Sequence, residues 1–289
     1  MRRAAVSLAL LGAGCAWGPG TSFGTVVGGP VSASLPLTAG RTDTPDGSWK
    51  TSNGYGIKLD GNAVTLELNN VALLAPPTAA SGGGGGTFDP AHPPAGYTLC
   101  HNGHCHRTDG AVKTYDEIQA DLAGGGTAAA ATTLVTLAPT VPTVNLAPGG
   151  TVQVAFSKCA PNCNLPRGTV STAKLALNRL LVSGQVQPLA GSPAIGGATR
   201  RWKLALALGD LALAGPLAVK VDRDQPATRY LSGQLTLTDK VFDGIDWARL
   251  ASQADPIELD ADQATNELLI ANLGKSTWVP KLDTTAIAQ

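Results

Sequence analysis

Charge is scarce in this chain: Lys, Arg, Asp and Glu together make up 15% of its 289 residues. Coiled coils and long surface helices are excluded on that ground, because their solvent faces need dense charged side chains. A basic excess is missing too. Lys and Arg number 21 against 21 Asp and Glu, which removes the electrostatic footprint of nucleic-acid binding and makes an anionic membrane surface an equally poor partner. No phosphate loop, dinucleotide glycine fingerprint or nucleophile elbow occurs, and no repeat of fixed period. The only methionine is Met1.

Glycine (35) and proline (20) are abundant instead, and the chain is broken into short alternating runs by turn signals spaced about ten residues apart. This predicts a mainly β fold, an antiparallel sandwich or barrel with two or three short helices. Tyr55 to Leu59 and Val64 to Leu68 alternate around Asp60-Gly61-Asn62, a hairpin signature. Further strands are expected around Leu134 to Leu137, Val152 to Phe156, Val170 to Val186, Trp202 to Leu208, Leu211 to Val221, Arg229 to Leu237 and Trp278-Val279. Thr114 with Glu117 forms a capping-box pattern for a helix over 115–123. Phe242 to Leu250 and Ala261 to Leu273 read as helices, the second with Asp260 as its N-cap. Residues 15–50, rich in Gly, Pro, Ser and Thr, read as a flexible tether, and 75–89, with the glycines Gly82 to Gly86, as a surface excursion. The parts 51–125 and 130–289 form one sandwich or two modules.

The N-terminus reads as an export signal over residues 1–14: Arg2 and Arg3, an apolar run from Ala4 to Leu11 too short for a permanent span, then Gly12-Ala13-Gly14. Cys15 follows those small residues directly, and here the chain resembles bacterial lipoprotein precursors. The resemblance covers about fifteen residues, with Leu11 four positions before the cysteine. It implies cleavage before Cys15, lipid on that residue and, with Ala16 next, an outer-membrane or cell-envelope position facing the periplasm. The lipid would then be the membrane contact. The remaining cysteines, Cys100, Cys105, Cys159 and Cys163, are even in number, and an oxidising compartment favours pairing them. Four cysteines allow three pairings, of which the two local ones are the expectation. A four-thiolate zinc site is possible by count, and export argues against free thiols.

All four histidines, His92, His101, His104 and His106, fall within fifteen residues, around Cys100-His101-Asn102-Gly103-His104-Cys105-His106. Asn-Gly is the preferred loop of a two-residue hairpin, since both positions favour positive φ. That turn pairs His101 with His104, Cys100 with Cys105 and Leu99 with His106. Alternation then puts the cysteines on one face and His101, His104 and His106 on the other. Directly opposed Cβ atoms lie roughly 4.5 to 5.5 Å apart, close enough for a disulfide on the first face and for imidazoles converging on one ion on the second. Three neutral imidazoles suit Zn(II) or Cu(II), with His92 or water completing the shell and Asp109 as a further ligand or acceptor. The run Cys100, four residues, Cys105, His106 also resembles the wide-spaced haem-attachment motif of some multihaem c-type cytochromes. That resemblance implies thioethers at both cysteines, iron on His106 and His92 as its second axial ligand.

Other candidates have plainer readings. Asp222 and Asp224 suit a solvated turn more than calcium, Asp243 and Asp246 suit a helix cap, and Trp202, Trp247 and Trp278 suit core or edge positions. The expectation is an exported lipoprotein that handles a transition metal, or serves as a redox accessory, without turnover of its own. The alternatives are a structural or adhesive lipoprotein with two disulfides and a haem electron carrier. A zinc hydrolase or hydratase stays open as well, since three histidines with an open position are also catalytic geometry, although no Asp or Glu is marked as a general base beside them.

Overall fold

The computed structural model describes residues 22–36, 49–76, 88–93, 97–101, 103–107, 112–115, 118, 131–209, 211–222 and 226–286. The signal, Cys15, Asp109, Asp224 and most of the 75–89 excursion lie outside them. The first strands are β1 (Ser22–Ser34), β2 (Trp49–Lys50), β3 (Tyr55–Leu59) and β4 (Val64–Leu74). A small sheet follows, of β5 (Tyr97–His101), β6 (His104–Arg107) and β7 (Val112–Thr114). Then come β8 (Thr133–Pro139), β9 (Thr143–Leu146), β10 (Thr151–Ala160), β11 (Asn164–Pro166) and β12 (Gly168–Pro188). The last strands are β13 (Arg200–Ala207), β14 (Ala212–Val221), β15 (Thr228–Thr236), β16 (Ile257–Glu258) and β17 (Thr277–Asp283). Two helices, α1 (Trp247–Leu250) and α2 (Gln263–Leu273), occur among the described residues. The fold is mainly β, as expected, with fourteen strands in one large mixed sheet that folds over as a sandwich and does not close into a barrel.

The spine is β12. Along one edge it carries β14, opposite Gly168 to Ala176, and then β13, opposite Arg179 to Val186. Along the other edge lie β4 and then β3. Its inward residues are Ala173, Leu175 and Leu177 in one half and Leu180, Val182 and Val186 in the other. The change of parity falls where the β4 register shifts between Ala176 and Arg179. One extra residue in a strand of period two sends every later side chain to the opposite face, so this irregularity keeps both halves facing the core.

From β4 the sheet continues through β8 to β10, a corner strand that pairs β8 with its second half and β1 with its first. β1 runs parallel to β15, and β15 antiparallel to β17. Trp278 of β17 donates its indole N–H to the Ala173 carbonyl of β12 at 3.2 Å, tying the far end of the sheet back over the spine. A single apolar cluster includes Val31 of β1, Leu66 of β4, Leu175 of β12, Leu235 of β15 and Leu273 of α2. Residues 51–74 therefore share one core with the C-terminal strands.

Several expectations change. Residues 22–35 are not tether: β1 is hydrogen-bonded along both edges, and Val26, Val31, Ala33 and Leu35 are buried. Its glycines, which lower its apolar content, are there because strands press on the backbone. A methyl on Gly28 would fall on the Phe156 carbonyl oxygen. β3 and β4 do not pair with each other as a hairpin. They lie end to end on the same edge of β12, and Asp60 in the step between them accepts from the Ser183 hydroxyl at 2.7 Å.

The helix expected over 242–250 is only the turn Trp247–Leu250, because Gly244 takes φ +81° and the Asn272 amide holds the carbonyls of Val241 and Asp243. Asp246 caps that turn, accepting from Arg249 N, and Asp243 accepts from Ser52 N at 3.1 Å. The cap of α2 is Asp262, not Asp260. Asp262 has the extended backbone an N-cap needs, whereas Asp260 sits inside the short turn Leu259–Ala261. Of the helix expected over 115–123, Tyr115 and Ile118 are helical and the rest lies outside the described residues. Trp202, Trp247 and Trp278 are all buried, as anticipated.

Candidate metal centre

The hairpin of β5 and β6 has the register that the Asn-Gly turn demands. Gly103 takes φ +83°, a conformation that side chains with a Cβ adopt poorly. His101 then opposes His104, Cys100 opposes Cys105, and Leu99 opposes His106. Cys100 and Cys105 are joined as a disulfide, and Cys105 is fully buried. The third strand, β7, lays Thr114 beside His104, Lys113 beside Cys105 and Val112 beside His106. Its end is tied to the turn by the Tyr115 N–H, which donates to the Gly103 carbonyl at 2.9 Å.

On the face away from the disulfide the three imidazoles meet. Ring centroids are 4.5 Å apart for His101 and His104 and 5.3 Å for each of the other two pairs. One ligand nitrogen from each lies within 4.8 Å of the others. Nε2 of His101 and Nε2 of His106 are 3.2 Å apart. Two ligands on a tetrahedral zinc with bonds of 2.0 to 2.1 Å are roughly 3.3 Å apart, so this pair already stands at ligand spacing. The same distance also serves as a hydrogen bond between neutral rings of opposite tautomer. His101 is exposed while His104 and His106 are half-buried, so an ion held here would keep an open side toward water.

His92 is not part of the group. Its Nδ1 lies 2.8 Å from Asp89 Oδ2, and its side chain is 86% exposed. A carboxylate three residues away holds Nδ1, and the expected fourth histidine is not among the three that converge. The His92 contact, helped by the Ala91 N–H, holds the Asp89 carboxyl below its ordinary range. Thr114 went unnoticed as a neighbour of His104. Val112-Lys113-Thr114 is too short a run to announce a strand, and only the pairing with β6 reveals its place.

The second cysteine pair, Cys159 and Cys163, is a disulfide around Pro161-Asn162. Asp222 is flanked by Arg167 and Lys220, each at 2.9 Å, an ion-paired turn where calcium would meet two cations. Comparison of the chain with protein-family models, with curated proteins and with solved structures finds no match in any of the three.

Proposed function

We propose that this is an exported, lipid-anchored protein of the bacterial cell envelope that binds one Zn(II) or Cu(II) ion through His101, His104 and His106 and serves metal handling or a redox accessory role. The observation that supports metal binding is the convergence of three imidazole nitrogens within 4.8 Å on a hairpin closed by a disulfide. An ion at tetrahedral bond lengths has to draw the farthest pair in by only about 1.5 Å, within the reach of imidazole rotation. No Asp or Glu joins the group among the described residues, so it offers ligands without a general base, which favours carrying an ion over hydrolysis. The anchoring half of the proposal rests on Arg2, Arg3, the apolar run and Cys15. No helix among the described residues is long and apolar enough to cross a membrane, and a lipid on Cys15 would supply the membrane contact.

Haem attachment would need both Cys100 and Cys105 as free thiols, and here their sulfurs are joined to each other. A purely structural lipoprotein is favoured by one observation, that His101 and His106 can satisfy one another by hydrogen bonding.

Metal titration separates the two. Purified, untagged protein should hold about one zinc or copper per chain. Replacing His101, His104 or His106 by Ala should weaken binding at least about 10- to 100-fold, the cost already seen when only an outer-sphere partner is lost. His92→Ala should leave it unchanged. Binding should weaken in acid, since a proton and the ion compete for each imidazole lone pair. No metal above background, with no effect of the three substitutions, would leave the structural lipoprotein.

A further inference from the structure

The disulfide and the histidines alternate along one hairpin in a way that gives the disulfide a role beyond stability. The rung Cys100–Cys105 lies between the two rungs that carry the ligands, His101–His104 on one side and Leu99–His106 on the other. The ligands are also divided unequally between strands. His104 and His106 stand on β6, which is paired along both edges, by β5 and by β7. His101 stands alone on β5, which among the described residues pairs with β6 alone, over five residues and with a register irregularity between Tyr97 and Leu99. A short edge strand held along one side is only marginally stable without its cross-link. Loss of that pairing would carry His101 away from the other two rings.

Resting on the metal reading above, we infer that the Cys100–Cys105 disulfide is a redox gate on the metal site, which holds His101 in place when oxidised and leaves only the His104 and His106 pair when reduced. The reductant would be a dithiol. One of its thiolates attacks the Cys100 sulfur, the half-exposed end of the bridge, and forms a mixed disulfide while Cys105 leaves as thiolate and takes a proton. The second thiol of the donor then attacks the mixed disulfide, freeing Cys100 as a thiol. Two electrons and two protons pass to the protein, and the donor becomes a disulfide. The ion loses one of three protein ligands and its affinity falls.

This mechanism makes reduction equivalent to loss of His101, and a zinc competition titration on the full chain tests that equivalence. Four species are compared: oxidised wild type, His101→Ala, Cys100→Ser/Cys105→Ser, and the triple variant, with circular dichroism confirming that the sandwich is intact in each. Removal of the cysteines should lower zinc affinity by at least about tenfold. His101→Ala should do the same, and the triple variant should be no weaker than either, because a ligand already released cannot be lost twice. Wild type reduced by a phosphine should match the cysteine variant and recover its affinity on reoxidation. Oxidised affinity retained in the cysteine variant, or a full further loss on adding His101→Ala to it, overturns the gate and leaves the metal site standing. Absence of zinc binding by oxidised wild type overturns both.

Discussion

Asp262 shows how much one side chain does at the start of a helix. Its carboxylate accepts the Thr265 backbone N–H at 2.9 Å and two guanidinium N–H bonds from Arg249 at 2.7 Å each. Those bonds, Arg249 first and Thr265 next, hold the carboxyl far below its ordinary range. A lowered folded-state value means that the unfolded chain binds the proton more readily, so the stabilisation is full above the ordinary Asp range and is lost progressively as pH falls from there toward the lower folded-state value. Asp262→Ala should cost about 1–2 kcal/mol at neutral pH, and the gap in melting temperature should narrow below about pH 4. A gap unchanged from pH 7 to pH 2 would show that the charged cap is not its source. From the residues alone, Asp260 reads as the cap, with Asp262 two positions on. Choosing between them takes the backbone angles and the position of Arg249, thirteen residues away in sequence.

Among the elements, β1 was the least legible. Its inward face needs only Val26, Val31 and Ala33, because the neighbouring strands come so close that Gly28 leaves no room for a side chain. Gly28→Ala should therefore lower the free energy of unfolding by about 1–3 kcal/mol, read as a shift in the urea midpoint. An unshifted midpoint would mean that β10 does not approach β1 as described. The long strand β12, by contrast, is plain in its own alternation on either side of its change of parity. The hairpin at Asn102-Gly103 was legible for a different reason, since a two-residue turn fixes the register of both arms and so the faces of every His and Cys on them.

At the scale of the whole molecule the strand order brings β1 next to β15, more than two hundred residues on, and brings Trp278 over Ala173. The sheet begins at Ser22, seven residues after Cys15. Since an extended chain spans at most about 3.6 Å per residue, a lipid on Cys15 would hold the sandwich within roughly 25 Å of the membrane surface instead of on a long tether. Cys15→Ser should release the protein from the membrane fraction into the soluble envelope fraction. Membrane partitioning that survives the substitution would remove the lipid anchor from the proposal.

The amino-acid sequence by itself determined the mainly β class, through period-two burial, and the geometry of the histidine hairpin, through a local turn whose consequences reach only a few residues either way. Tertiary structure alone decided that β1 is a strand, that β3 and β4 are collinear and that Asp262, bound by Arg249, is the cap. Each of these depends on which distant backbone lies alongside or which neighbour reaches a polar group first. Periodicity does not carry that information, because it records which face of an element is buried and not what buries it.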